Sequence, residues 1–141
     1  GVSYYFITQQ EFRARIAEND FLEYDEHFGN YYGPPRSFVE RQLSTHSVIL
    51  EIDVVGALNA KRLMPRQTTL IMVTPPSQEA LEARLAGRGS ESEEERAARL
   101  RRVRYELEQA PLYDYVVVND DLQRTKNEIL QIIRKEKEKT V

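Results

Sequence analysis

The chain has 141 residues, 40% of them hydrophobic and 30% charged, enough apolar material for the core of one globular domain. Lys and Arg number 20 against 23 Asp and Glu, a net charge of −3, which argues against a nucleic-acid-binding protein because that footprint is a basic patch. There is no cysteine, and His27 and His46 are too few for a histidine-based cluster, so no dedicated metal site is expected. A bound metal would be a hard ion such as magnesium on carboxylate and phosphate oxygens. The longest apolar runs fall far short of the roughly 20 residues of a membrane-spanning helix, and no signal peptide opens the chain, so no membrane partner and a cytoplasmic location are expected. The first residue is Gly1 rather than Met, as in a fragment or a processed chain.

In chain order, Tyr4-Tyr5-Phe6 is the first expected strand, followed by a helix from Thr8, where Thr8 and Glu11 have capping-box spacing. Phe21 to Phe28 and Asn30 to Tyr32 are expected as further short strands, completing a small α+β excursion. Gly33-Pro34-Pro35 closes it before a helix through Phe38 and Leu43. Ser47 to Asp53, Thr68 to Val73 and Tyr115 to Asn119 are apolar runs without alternation, the pattern of strands buried on both faces.

Helices are expected between and after these runs. The first spans Val54 to Leu63, and a second, capped by Ser77, runs to Gly87. A third, with capping-box spacing at Ser92 and Glu95, runs to Glu108, and Gly87-Arg88-Gly89 reads as the hinge before it. The last covers Leu122 to Lys137, with Leu122, Ile129, Ile132 and Ile133 as its apolar residues. Strand and helix alternating in this way predict an α/β fold with a parallel sheet and right-handed crossovers.

Three groups of residues suit chemistry. Arg84 and Arg88 are four apart and Arg99 lies beyond the hinge, so folded over a cleft the three could meet one polyanion. Phosphoryl transfer asks little more of a protein than positioning and neutralisation of charge, and the guanidinium fork fits phosphate oxygens. The same arginines could instead be a solvated face paired with Glu82, Glu91 and Glu95. Glu51 and Asp53 end an expected strand, where ligands of open α/β sheets bind, although such an ending can equally be a helix cap.

Glu23, Tyr4 and Tyr32 make the third group. Guanine presents its N1 proton and 2-amino group side by side, so one carboxylate can accept both, whereas adenine offers an acceptor at N1. Tyrosine hydroxyls can donate to a phosphate; the alternative is an exposed glutamate and half-buried packing tyrosines.

The order and spacing of Gly1-Val-Ser-Tyr-Tyr-Phe, Phe21-Leu-Glu, Gly29-Asn-Tyr-Tyr-Gly33, Leu50-Glu-Ile-Asp53 with Gly56, Pro75-Pro-Ser77, Arg84-Leu-Ala-Gly-Arg-Gly89, Ser92-Glu-Glu, Arg99-Leu100 and Tyr113-Asp-Tyr to Asn119-Asp-Asp121 resemble the guanylate kinases. The resemblance implies a P-loop-kinase-like parallel sheet flanked by helices. It implies a GMP-binding subdomain over residues 1–37, core over 38–79, a helical lid over 80–108 and core again over 109–141. It also implies an ATP-dependent phosphorylation of GMP to GDP with Mg2+ as cofactor. Tyr4 and Tyr32 would bind the GMP phosphate and Glu23 the base, with Asp53 and Glu51 near the base or the magnesium. Arg84, Arg88 and Arg99 would clamp ATP and stabilise the transferring phosphoryl group, and Asn119 would lie beside the adenine.

Two departures stand out. The family usually has Ser or Thr, a donor to guanine O6, where this chain has Pro34. None of the six glycines fits the Gly-x-x-x-x-Gly-Lys-Ser/Thr spacing of a P-loop. The resemblance therefore implies an N-terminally truncated chain, missing the first strand and inactive alone, with self-association or a separate N-terminal piece as a way to complete the sheet. The other reading is a non-catalytic guanylate-kinase-like module that binds a protein.

Overall fold

In the computed structural model, which describes residues 4–27, 29–87 and 92–139, the chain divides into two units, residues 1–68 and 69–141. The first unit opens with α1 (Gln9–Ala17). The expected capping box is present: the Glu11 amide donates to Thr8 Oγ1 at 3.1 Å and the Thr8 amide to Glu11 Oε2 at 2.8 Å. Asn19, at φ 56°, then turns the chain in the left-handed region that asparagine tolerates.

The next segment lies antiparallel to the two prolines. The Leu22 amide donates to the Pro34 carbonyl at 3.2 Å, and the Arg36 amide to the Asp20 carbonyl at 2.6 Å, with Phe21 opposite Pro35. This pairing asks no N–H of either proline, which is why Pro34-Pro35 can lie beside a strand-like segment. Strands β1 (Asp25–His27) and β2 (Asn30–Tyr32) form an antiparallel hairpin in which Asp25 faces Tyr32. Gly29, at φ +76°, lies in the connection.

Pro35 precedes α2 (Arg36–Leu43) but offers no side-chain cap, and Asp20 does so from a distance, its Oδ1 accepting from the Ser37 amide at 2.9 Å. Burial pushes the Asp20 carboxyl up, but hydrogen bonds from Ser37 and the charges of Arg15 and Arg41 hold it below its ordinary value.

Two apolar clusters fix this unit. Phe12 of α1 stacks on Phe21 at 4.1 Å and on Tyr31 at 5.2 Å, with Tyr24 edge-on to Phe12 and Phe21. Leu22, 1% exposed, meets Val39 and Met64, with Leu43, Val48, Leu50 and Leu63 around them. Helix α3 (Val54–Leu63) completes the unit with Asp53 as its N-cap.

Two expected strands do not form. Residues 47–53 belong to no ladder, and their burial alternates, with Val48, Leu50 and Ile52 half-buried while Glu51 is exposed and Ile49 is 79% exposed. Tyr4-Tyr5-Phe6 is also outside any strand, with Phe6 96% exposed. Both runs have the β-branched or aromatic composition of strands, but a strand needs a partner for its N–H and C=O groups, and neither has one among the described residues.

The second unit runs β3 (Ile71–Thr74), α4 (Gln78–Ala86), α5 (Glu93–Glu108), a single 3₁₀ turn, β4 (Tyr115–Val118) and α6 (Leu122–Lys139). Strands β3 and β4 are parallel, Ile71 facing Tyr115 through to Thr74 facing Val118, as the alternation of strand and helix predicts. Leu70, Met72 and Val117 are buried, but Val73, Val116 and Val118 are about half exposed, so the pair is covered on one face, not both. Helix α6 packs against β4. Its inner stripe is Thr125, Ile129, Ile132, Ile133 and Glu136, and Leu122, expected on that face, is 68% exposed. No helix among the described residues is long and apolar enough to cross a membrane.

Leu22 ties the loop at residues 20–23 to the core. Leu22→Ala should lower the unfolding free energy by about 2–5 kcal/mol, measured by denaturant titration; a loss below about 1 kcal/mol would show that this cluster does not hold the unit.

Candidate nucleotide site

Glu23 follows the most deeply buried residue of the first unit, so its backbone is fixed before its side chain is considered. Asn59 Nδ2, on α3, donates to the Leu22 carbonyl, and Arg62 Nη2 donates to Asn59 Oδ1 at 2.7 Å. On the other side Gly33 lies so close that a Cβ there would overlap the Glu23 carbonyl oxygen and press on Tyr24. The Glu23 side chain then reaches the first turn of α3, where its carboxyl group rests against Gly56 and is hydrogen-bonded to Asp53. Asp53 in turn accepts from the Gly56 amide at 2.9 Å as the helix cap.

Two carboxyl groups this close cannot both be ionised without cost. Burial pushes the Glu23 carboxyl up to about 7, and the hydrogen bond to Asp53 and the charges of Asp53 and Asp25 add to the rise. Glu23 thus keeps a proton to near neutrality and donates it to Asp53. Glu51 stands outside this pair, exposed, so the two carboxylates predicted to end one strand have different surroundings. Tyr32 is 48% exposed and its neighbour Tyr31 stacks on Phe12; Tyr4 is 65% exposed.

In the second unit Ser77 caps α4, its Oγ accepting from the Ala80 amide at 3.0 Å, and the Ser92–Glu95 capping box starts α5. Arg84 is exposed near the end of α4, and its Nη2 donates to the Asn119 carbonyl at 3.2 Å. These two predicted site residues, 35 positions apart, are therefore brought together. Asn119 is held further by Thr125, buried on α6, whose hydroxyl donates to Asn119 Oδ1 at 3.1 Å. Arg99 is half-buried on α5, on the same stripe as Arg96, Leu100, Val103 and Leu107. Arg88 lies outside the described residues, as do Gly89 and Glu91. Gly87 ends α4 in the ordinary right-handed helical region, so its own freedom is not used for a reversal. Of the acidic residues named as alternative partners, Glu82 accepts from Gln78 and Glu95 takes part in the Ser92 cap.

Sequence reasoning missed Asn59, Asp20 and Thr125. The signal for Thr125 was present, a small polar residue in register with Ile129, Ile132 and Ile133 on an otherwise charged helix; the other two act across the fold, where spacing says nothing.

The parallel β3–β4 pair with its helical crossover is that of the α/β, P-loop-kinase-like folds. The guanylate kinase family model matches residues 1–136, and the chain belongs to the guanylate kinase family, ATP-using kinases that phosphorylate GMP. It is 47% identical over 142 residues to guanylate kinase from Symbiobacterium thermophilum, covering 100% of this chain and 67% of that protein. It is 46% identical over 137 residues to guanylate kinase from Synechocystis, covering 96% of this chain and 71% of that one. Among solved structures, guanylate kinase from Anaplasma phagocytophilum matches with a TM-score of 0.71 at 34% identity, over 96% of this chain and 66% of that chain. The chain thus spans about two thirds of the length of these relatives.

The Glu23–Asp53 pair sets a pH dependence. The folded chain holds the Glu23 proton to about 7, whereas an ordinary glutamate loses it near 4.5, so between those values the folded state binds more protons than the unfolded one. Stability from this pair is then highest below about pH 4.5 and falls as pH rises to about 7. Asp53→Asn keeps a capping side chain and removes the charge, so thermal unfolding followed across that range should show a flatter decline than in the parent chain. Identical slopes would mean that the two carboxyls do not share a proton.

Proposed function

We propose that the first unit binds GMP, with Glu23 reading the guanine base and Tyr4 and Tyr32 donating to its phosphate, and that the second unit supplies the groups that hold ATP and the transferring phosphoryl group. The observation that carries this is the Glu23 carboxyl, fixed by Leu22, Gly33 and Gly56 and bonded to Asp53. Once ionised, it accepts from guanine N1–H and the 2-amino group together, a pattern adenine does not present. Asp53, beside it, accepts a hydrogen bond from the second hydrogen of the 2-amino group, and exposed Glu51 has the more peripheral place. Pro34 offers no hydrogen to guanine O6 and its carbonyl is taken by Leu22, so base choice rests on the carboxylate.

Arg84, Arg88 and Arg99 neutralise the phosphate charge as a GMP phosphate oxygen attacks the γ-phosphorus of ATP and the bond to the ADP oxygen breaks. Asn119, its Oδ1 held by Thr125, turns its Nδ2 donor to the adenine. Magnesium would be carried by the phosphate oxygens of ATP. Bound there, it would offset the charge on the β- and γ-phosphates. Residues 1–37 act as the GMP-binding subdomain and 80–108 as the lid, and a kinase of soluble nucleotides belongs in the cytoplasm.

Calorimetric titration with GMP tests this reading. Glu23→Gln should weaken GMP by about 1.5–3 kcal/mol, roughly ten- to a hundredfold, without affecting ATP. Phosphopeptide binding with no GMP binding would mark a protein-binding module instead. Guanosine, which has no titrating phosphate, should bind about tenfold more weakly per pH unit below about 7, because its binding must expel the Glu23 proton. A flat profile would sink the Glu23 assignment. Arg99→Met should lower kcat of the full-length protein by about 10³-fold or more with little change in GMP affinity; an unchanged kcat would remove Arg99 from the phosphoryl-transfer step.

A further inference from the structure

Four glycines in the described residues differ in what a side chain would meet. At Gly33 a Cβ would strike the backbone of Glu23 and Tyr24, so substitution there disturbs the fold. At Gly87 the nearest atoms are at ordinary contact distance, and at Gly29 there is open space but a left-handed backbone. Gly56 alone is crowded by a single functional group: the three nearest atoms are Oε2, Cδ and Oε1 of Glu23.

Gly56 sits in the first turn of α3 with no left-handed φ, so the helix makes no use of glycine's conformational freedom. Helix propensity favours alanine there, and an alanine would still donate its amide to Asp53 as Gly56 does. The cost of glycine in the helix is matched by no local backbone need. What the missing side chain provides is space, and the Glu23 carboxyl fills it.

We propose that Gly56 is a specificity-determining residue, whose lack of a side chain lets the Glu23 carboxyl rest beside Asp53 in the position that reads guanine. The inference rests on the assignment of Glu23 as the base reader. Because the obstructed atoms are the far end of a flexible side chain, a methyl group at residue 56 turns the carboxyl away and leaves helix, cap and core in place. Gly56 acts through Glu23 and touches no reacting atom, so it is a positioning residue.

The test is a double-mutant cycle in the full chain with Gly56→Ala, Glu23→Ala and both, read by thermal unfolding and by titration with GMP and with IMP, which lacks the 2-amino group. Gly56→Ala should unfold at the same temperature as the parent or higher. It should bind GMP on the order of tenfold or more weakly and lose most of the preference for GMP over IMP. In the Glu23→Ala background the same change should cost nothing further. Parent-like GMP binding by Gly56→Ala overturns the proposal, as does an equal loss in both backgrounds or a chain that fails to fold. If Glu23→Ala binds GMP like the parent, the base-reading assignment falls first and this inference with it.

Discussion

The first unit is organised around one crowded carboxyl group. Glu23 has the Gly33 backbone behind it, the α3 first turn in front and Asp53 as a hydrogen-bond partner. The surrounding structure serves to keep it there: Leu22 anchors the preceding residue in the core, and Asn59 holds the Leu22 carbonyl from α3. A carboxyl pushed to about 7 is costly to ionise in a folded protein, since burial removes charge solvation and the charges of Asp53 and Asp25 oppose it.

In the second unit the helices between β3 and β4 carry Arg84, Arg96 and Arg99. Helix α5 is polar almost all round, with Glu93, Glu94 and Glu95 opposite the positive end of its dipole and arginines further along. Such a helix gains little from core packing, and its half-buried stripe contains Arg96 and Arg99 as well as Leu100, Val103 and Leu107. By contrast Asn119, at the end of β4, is fixed three ways, by the Thr74 carbonyl, the Arg84 guanidinium and the Thr125 hydroxyl.

What could be read from sequence follows the range of the interactions involved. Thr8 with Glu11, Ser77, and Ser92 with Glu95 cap their helices through contacts three residues long, and all three caps form. The parallel β3–β4 pair was legible because its apolar runs are separated by helical sequence. Residues 47–53 and 4–6 have strand composition without ladder partners, a property composition does not carry. In the site, Glu23 and Asp53 were each visible as candidates, but their contact depends on Gly33, Gly56 and the path of residues 20–23. Asp53 caps α3, as one of its two readings has it, and also meets Glu23.

The double proline at the end of the first excursion has a consequence for solubility. Because Pro34 and Arg36 turn inward to residues 20–22, Pro35 is the position whose main chain faces away, and it carries no hydrogen to offer. A neighbouring molecule approaching that border would find no amide, and the Pro35 carbonyl already accepts from the Val39 amide at 3.2 Å, so the lateral growth that unprotected sheet margins invite is stopped at its first rung.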